Sequence, residues 1–237
     1  MLSSYVVVDL EMTGLRAKTD RILEIGAVKV KNNYIVERFH KLVNPKMDIP
    51  PKVIELTGIT NEMVQKGCDS GQAVEGFLEF SAALPLIGHN LIFDYSFIKQ
   101  YAINHEIVVE KEGVDTLKLA RKFLPELEKK TLDYLCNYFQ IQRKQNHRAL
   151  EDAEATNRLF QYLKGKFELQ EPSAFYPKPL QYKAKKQGPA SIRQKKYLKE
   201  LADYHKIELK IDTGSLTKNE ASRITDNILG KYGKMPR

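Results

Sequence analysis

The hydrophobic pattern of the chain changes at Asn44-Pro45, and this change constrains the fold more than any other feature. Before it, three apolar runs of strand type (residues 5–10, 22–30 and 34–43) follow one another, which predicts an antiparallel meander. After it, apolar residues recur at helical spacing, with short strand-type runs between the helical segments. Strands first and then alternating helices and strands predict an α/β fold, in which helices flank a mixed β-sheet.

The last part of the chain has a different composition. A proline- and lysine-rich break is followed by two amphipathic segments, with candidate helix caps at Ser191 and Thr217. They predict a small helical module with a thin core, joined by a linker that either follows the surface or is partly disordered. The predicted division is a first domain at 1–168, a linker at 169–189 and a basic C-terminal module at 190–237.

The formal net charge of +8 is unevenly distributed. Residues 1–170 carry equal numbers of acidic and basic side chains, so the whole excess lies in residues 171–237. This asymmetry indicates a polyanionic partner for the tail, or else a solvated end that improves solubility. No apolar run reaches the roughly 20 residues of a membrane-spanning helix, and the start of the chain is a poor secretory signal. We therefore predict a cytoplasmic protein that does not bind membranes.

Two acidic residues, Asp9 and Glu11, lie at the end of the apolar run Val6-Val7-Val8. Residues two apart on a strand point to the same face, so the two carboxylates repel each other. A bound divalent cation would relieve that repulsion. Thr13-Gly14 follows and offers a hydroxyl and a close backbone approach. Taken alone, the pair is also compatible with ordinary exposed charges at a strand end.

Three further candidates are Asp94, His147 and Asp152. Asp94 lies near a predicted helix start, where an acid can simply stabilise the helix dipole. Asp152 falls at the edge of the apolar stripe of a helix predicted over 148–164. Five helical residues rotate by about 500°, so His147 can face the same site only from a loop before that helix. A loop histidine beside a fixed carboxylate suits proton transfer.

Together, the blocks VVVDLEMTG, GHNLIFDYSFIK and HRALEDAEAT resemble, in order and spacing, the three motifs of the DnaQ-like exonuclease superfamily. The histidine indicates its DEDDh subclass, which includes the epsilon-type proofreading exonuclease of bacterial DNA polymerase III. The resemblance runs from about Tyr5 to Leu163 and includes the segments ILEIGAVKV, LTGIT and VDTLKLAR. It implies a ribonuclease H-like fold and metal-dependent 3′–5′ hydrolysis of terminal phosphodiester bonds.

The resemblance also implies roles for the five signature residues. Asp9 would bridge two Mg²⁺ or Mn²⁺ ions, and Glu11 and Asp152 would hold the ion that carries the attacking water. Asp94 would complete the shell, and His147 would take the proton from the water. Four carboxylates fit these hard cations, and two isolated cysteines are too few for a thiolate zinc site. The residues that would contact substrate are Met12, Thr13, Gly14, Ile59, His89, Asn90 and Phe93, although core packing explains Ile59 and Phe93 equally well.

The substrate stays open at this point. IGAVKV and LTGIT favour DNA, with single-stranded 3′ ends as the expected substrate and proofreading, replication or repair as the expected context. DLEMTGL also resembles oligoribonucleases, so an RNA-directed enzyme is an alternative, as is a relative that binds nucleic acid without cutting it. The C-terminal module is predicted either to neutralise DNA phosphates or to bind a DNA polymerase or another replication or repair protein.

Overall fold

The structure is a computed structural model that describes residues 2–143 and 145–235; the last two residues of the predicted C-terminal module lie outside them. Within these ranges six strands form one sheet in the order β3-β2-β1-β4-β5-β6. The strands are β1 Ser4–Met12, β2 Ile22–Lys31, β3 Tyr34–Leu42, β4 Leu86–Gly88, β5 Glu112–Asp115 and β6 Lys178–Pro179. Strand β1 pairs antiparallel with β2 and parallel with β4, so the predicted mixed sheet is confirmed.

Helices cover the sheet and continue beyond it. Within the described chain they are α1 Pro51–Thr57, α2 Asn61–Gln65, α3 Ser70–Ser81, α4 Leu91–Asn104, α5 Thr116–Phe123, α6 Leu132–Tyr138, α7 Ala149–Phe167, α8 Ile192–Tyr204 and α9 Lys218–Tyr232. In the part of the chain that the structure describes, none of them combines the length and apolarity needed to cross a membrane.

The hairpin of β2 and β3 turns at Asn32-Asn33, as the sequence predicts. Both residues have positive φ, 51° and 67°, and Lys31 pairs with Tyr34 across the turn. Asparagine tolerates the left-handed region better than most residues, and two such residues make the turn that matches the twist of paired strands.

The two faces of β1 pack against different helices. Val6, Val8 and Leu10 belong to a core cluster with residues of α3 and α4, whereas Tyr5 and Val7 pack with residues of α7. Because side chains alternate along a strand, Asp9 and Glu11 are in phase with Tyr5 and Val7. The acidic pair therefore lies on the α7 side of the sheet.

The N-terminus of α7 is held very close to β2. A Cβ atom added to Gly26 would lie 2.1 Å from the backbone carbon of Ala149 and from the backbone nitrogen of Leu150. Only glycine leaves room for this approach. The predicted apolar stripe of this helix is buried, and Asp152 is 5% exposed. The close packing therefore brings the first turn of α7 beside Asp9 and Glu11.

The C-terminal segment first adds a strand to the sheet and then forms its own small core. Strand β6 pairs antiparallel with β5, and the segment then leads to α8 and α9. Both predicted caps form, since the side chain of Ser191 accepts a hydrogen bond from the Gln194 amide and that of Thr217 from the Glu220 amide. Leu198, Leu201, Leu216 and Ile228 are central to the module core. The predicted domain boundaries stay a prediction.

Candidate active site

Four carboxylates from three elements converge near the end of β1. Asp9 and Glu11 come from β1, Asp94 from α4 and Asp152 from α7. One ligand atom each of Glu11, His147 and Asp152 lies within 4.8 Å of the other two. Asp94 is buried, and its Oδ1 accepts a hydrogen bond of 3.0 Å from the Leu10 amide, which fixes it against β1.

Burial raises the pKa of all four carboxylates, and neighbouring charges add to the effect for Asp9 and Glu11. Burial raises the pKa of Asp9 well above its usual value, and the charges of Asp94, Asp152 and Glu11 add to the effect. Burial also raises the pKa of Glu11 to about 8, with Asp152 as the largest charge contribution, and burial raises that of Asp94 to about 8. Such a set of oxygen ligands fits a hard divalent cation, whose charge would stabilise the ionised forms.

His147 lies on a loop, because α7 begins at Ala149. The deduction that it precedes the helix is confirmed. Its backbone is left-handed, with φ of 55°, and its amide donates a 3.0 Å hydrogen bond to Oδ2 of Asp152. Its Nε2 is 3.6 Å from Oδ2 of Asp133, and 36% of the side chain is exposed. The imidazole is therefore reachable from solvent while its backbone is anchored to the carboxylate cluster.

Arg143 is a site residue that the sequence interpretation missed. Its Nη1 is 2.6 Å from Oδ1 of Asp152 and its Nη2 is 2.5 Å from Oδ1 of Asp133, and only 4% of its side chain is exposed. Burial raises the pKa of Asp152, and the Arg143 contact opposes that rise. One guanidinium thus joins α6, the His147 loop and α7. The only signal in the sequence was a basic residue four positions before His147.

Glu24 is the second missed residue. Its side chain is fully buried and accepts hydrogen bonds from Arg148 (Nη2, 2.6 Å) and from the Ala149 amide (2.8 Å), and it lies 2.7 Å from Nε2 of His40. Burial would raise the pKa of Glu24, but these partners outweigh it and lower the pKa to about 2. A charged residue inside the apolar run ILEIGAV was the available signal. Glu24 holds the residues that open α7.

The predicted substrate residues after β1 form a tight loop. Met12 and Thr13 are buried, and Oγ1 of Thr13 accepts a 2.9 Å hydrogen bond from the Arg21 amide. A Cβ atom on Gly14 would meet Oδ2 of Asp20 at 2.6 Å, so a side chain there would displace the Asp20 carboxylate. These residues lie directly after Asp9 and Glu11, and their contact with a terminal nucleotide stays a prediction.

The other predicted substrate residues fall into two groups. Asn90 and Phe93, at the start of α4, line an open groove. Ile59 is fully buried in a cluster with Leu23, so core packing describes its side chain. Both ring nitrogens of His89 have partners, the Thr116 hydroxyl at 2.9 Å and the Lys130 carbonyl at 2.8 Å, and burial lowers its pKa. A contact of Ile59 or His89 with substrate stays a prediction.

The fold is shared with solved exonuclease structures. One is exonuclease X in complex with 5′ overhanging duplex DNA, with a TM-score of 0.56 and 24% identity over 69% of this chain and 92% of that chain. Another is E. coli exonuclease I in complex with a dT13 oligonucleotide, with a TM-score of 0.59 and 19% identity over 71% of this chain and 42% of that one. The architecture is therefore the ribonuclease H-like fold of exonucleases.

Sequence comparison gives the family. Residues 6–160 match the exonuclease family RNase_T. The chain is 42% identical over 156 residues to a PolC-type DNA polymerase III of Caldanaerobacter subterraneus subsp. tengcongensis and 40% identical over 156 residues to that of Bacillus subtilis. These matches cover 66% and 65% of this chain but 11% of each relative, so the chain spans about a tenth of their length. The chain belongs to the DnaQ-like exonuclease family, and the resemblance drawn from its motifs is confirmed.

Proposed function

We propose that this protein is a 3′–5′ exonuclease that removes nucleotides from DNA, chiefly at single-stranded 3′ ends, with two divalent metal ions. The observation that carries the proposal is the convergence of four carboxylates beside His147. Burial and the charges of neighbouring carboxylates raise the pKa of Asp9 and Glu11, and groups with pKa values shifted in this way are concentrated at functional sites.

The residues divide the chemistry between them. Asp9, Glu11, Asp94 and Asp152 would hold Mg²⁺ or Mn²⁺, which when bound supplies charge stabilisation for the attacking and leaving oxygens. The imidazole of His147 would accept the proton of the attacking water, because its ring lies with Glu11 and Asp152 and is reachable from solvent. Met12, Thr13 and Gly14 would position the terminal nucleotide.

The similar proteins support DNA as the substrate. PolC-type DNA polymerases are the sequence relatives, and the exonuclease X and exonuclease I structures contain DNA. Proofreading, replication or repair is the context that these relatives suggest. Polymerase activity is not part of the proposal, since the chain matches about a tenth of each polymerase. A polymerase partner for residues 190–237 and a cytoplasmic location stay predictions.

The test is the direction and metal dependence of degradation. A single-stranded DNA oligonucleotide labelled at its 5′ end should give a ladder of products shortened from the 3′ end with Mg²⁺ or Mn²⁺, and EDTA should abolish it. His147→Ala should abolish most activity, whereas His105→Ala, at the end of α4, should not.

Three outcomes would contradict parts of the proposal. Absence of metal-dependent degradation of DNA and RNA would reject the enzyme and favour a non-catalytic binding protein. Faster degradation of an RNA oligonucleotide of the same sequence would favour the RNA-directed alternative. Full activity of His147→Ala would reject His147 as the base.

A further inference from the structure

An open groove of about 900 Å³ lies between the candidate catalytic domain and α9. One wall is the loop of residues 15–19, which follows Gly14, and the floor includes Asn90 and Phe93 at the start of α4. Tyr182 also lines the groove, and residues of α9 form another wall. The family match ends at residue 160, so this wall is built from a part of the chain outside that match.

The wall formed by α9 is a single polar stripe. The groove-lining residues of this helix recur at positions i, i+3, i+4, i+7 and i+8, which places them on one face. They are Asn219, Ser222, Arg223, Asp226 and Asn227. The buried residues Ala221 and Ile228 lie on another face and pack into the module core. Asn219 and Asn227 are exposed and border the groove, whereas the Ser222 hydroxyl accepts a 3.2 Å hydrogen bond from Gln194 of α8.

Two ion pairs fix α9 to the loop after β1. Nη1 of Arg223 is 2.9 Å from Oδ1 of Asp20, and Nε of Arg21 is 2.7 Å from Oε1 of Glu220. The acidic partners are 7% and 8% exposed, so both pairs are partly desolvated. Nη2 of Arg223 also donates to the Thr19 carbonyl at 3.0 Å. The module is therefore anchored to the loop that leaves the candidate active site.

The charges and rings of the groove fit a nucleic-acid strand. Arg16 and Lys18 are exposed on the loop wall, and the groove lining also includes the acidic Asp226. Arg223, a third cation of the lining, is paired with Asp20. Leu15, 80% exposed, and the rings of Phe93 and Tyr182 offer surfaces on which bases can stack. Such a groove has few cations, so it would guide a strand that is held mainly by stacking and hydrogen bonds.

We propose that this groove holds single-stranded DNA on the 5′ side of the nucleotide being removed, and that α9 forms one wall of the strand path. This inference rests on the proposed function, because a 3′ end at the carboxylates is what directs the strand past Asn90 and Phe93. The module then extends the binding site and makes the enzyme sensitive to substrate length.

The test is the dependence of KM on DNA length. For the wild type, KM should fall by about tenfold or more as single-stranded DNA is lengthened from two to about ten nucleotides, because added bases stack in the groove. The variant Asn219→Glu with Asn227→Glu adds two negative charges to the α9 wall, and it should remove most of that fall. Glutamate has a higher helix propensity than asparagine, so α9 should still form, which thermal unfolding checks.

Lys199→Glu is the matched control. It changes the net charge by the same amount on exposed helix α8, outside the groove lining, and should keep the length dependence. Equal length dependence in the groove variant, the control and the wild type would overturn the proposal. A loss seen only with RNA, or only in binding to another protein, would overturn the assignment to DNA.

A binding measurement separates this inference from the proposed function. Fluorescence anisotropy of a labelled single-stranded DNA, measured in EDTA, needs no hydrolysis. Weaker binding by the groove variant than by Lys199→Glu supports the groove even if the wild type proves inactive. Equal binding by both variants overturns the groove even if the wild type is an active exonuclease.

Discussion

Glu11 on β1 and Glu24 on β2 are paired across the two strands. Glu11 belongs to the candidate metal site, whereas Glu24 holds the N-terminus of α7. The two residues have the same side chain and are both desolvated, yet the pKa of Glu11 is raised to about 8 and that of Glu24 is lowered to about 2. Burial acts in the same direction on both. The difference comes from their neighbours, which are mainly carboxylates for Glu11 and hydrogen-bond donors for Glu24.

This contrast separates two uses of a buried charge. Glu24 is satisfied within the protein by Arg148, His40 and the Ala149 amide, so it contributes to the folded state. Glu11 is surrounded by groups of its own charge, so the fold tolerates it at a cost that a bound cation would remove. Substitutions of these two paired glutamates therefore distinguish a functional carboxylate from one that stabilises the fold.

The largest expected effect is on activity, with Glu11→Gln. Removing this carboxylate should lower kcat by at least about 10³-fold, because residues of one catalytic unit act together. The metal-free melting temperature of this variant should stay the same or rise, because the variant lacks a carboxylate that its neighbours repel. Exonuclease assays and calorimetry in EDTA measure the two effects. A clear fall in metal-free stability would show that Glu11 is structural.

Glu24→Gln should show the opposite pattern. It leaves the guanidinium of Arg148 without its carboxylate, which we expect to cost about 3 kcal/mol, the lower end for a buried pair since Arg148 is partly exposed. For a chain of this size, this corresponds to a fall in melting temperature of about 6–12 °C. Denaturant unfolding alongside Glu11→Gln measures the difference. Equal stability of the two variants would refute the contrast.

The local features of the fold could be predicted from the sequence. The turn at Asn32-Asn33, the buried stripe of α7, the caps at Ser191 and Thr217 and the loop position of His147 each depend on residues close together in the chain. Their physics is the left-handed preference of asparagine, helical periodicity and capping. Periodicity is a reliable guide where a single element determines the outcome.

The contacts that complete the site could not be predicted in this way. Arg21 and Glu220 are separated by 199 positions, and Arg148 and Glu24 by 124, so no local pattern relates them. The same holds for the pairing of β6 with β5, which runs through a segment predicted only as a linker. Position along a strand suggested which acids share a face, but not which partners each acid would meet.

The pH dependence of stability should differ between the two glutamates. The pKa of Glu11 is raised from 4.5 to about 8 by folding, so its contribution is fully present below about pH 4.5 and is lost as pH rises towards 8. The pKa of Glu24 is lowered from 4.5 to about 2, so its contribution is present above about pH 4.5 and is lost as pH falls towards 2.

Metal should therefore stabilise the protein more at pH 8 than at pH 6. Protons and cations compete for the same carboxylates, and we expect saturating Mn²⁺ to raise the melting temperature by about 4–8 °C at pH 8, equivalent to about 2 kcal/mol. Thermal unfolding with Mn²⁺ or EDTA at both pH values measures the difference. Glu11→Gln should lose most of it, and a metal effect that is independent of pH would contradict the assignment.

The smallest effect is expected for Arg143→Gln. This variant tests whether Arg143 is a structural partner, like those of Glu24, or a part of the metal site. Arg143 is a structural partner, since it holds Asp133, yet it also touches the proposed ligand Asp152. Loss of the guanidinium should free Oδ1 of Asp152 and loosen the loop that carries His147, lowering kcat by about tenfold, in the range seen when a partner of a metal ligand is removed. Arg143→Lys should restore part of the activity because it keeps the charge.

The Mn²⁺ concentration needed for half-maximal activity distinguishes positioning from binding. If Arg143 orients Asp152 and the His147 loop, kcat should fall more than the apparent metal affinity changes, because the carboxylates that bind the ion are all still present. A variant with unchanged kcat and tighter metal binding would instead mean that Arg143 competes with the cation for Asp152. The guanidinium would then partly neutralise the metal site when no ion is bound, and it would not be a structural partner of the kind that Glu24 has.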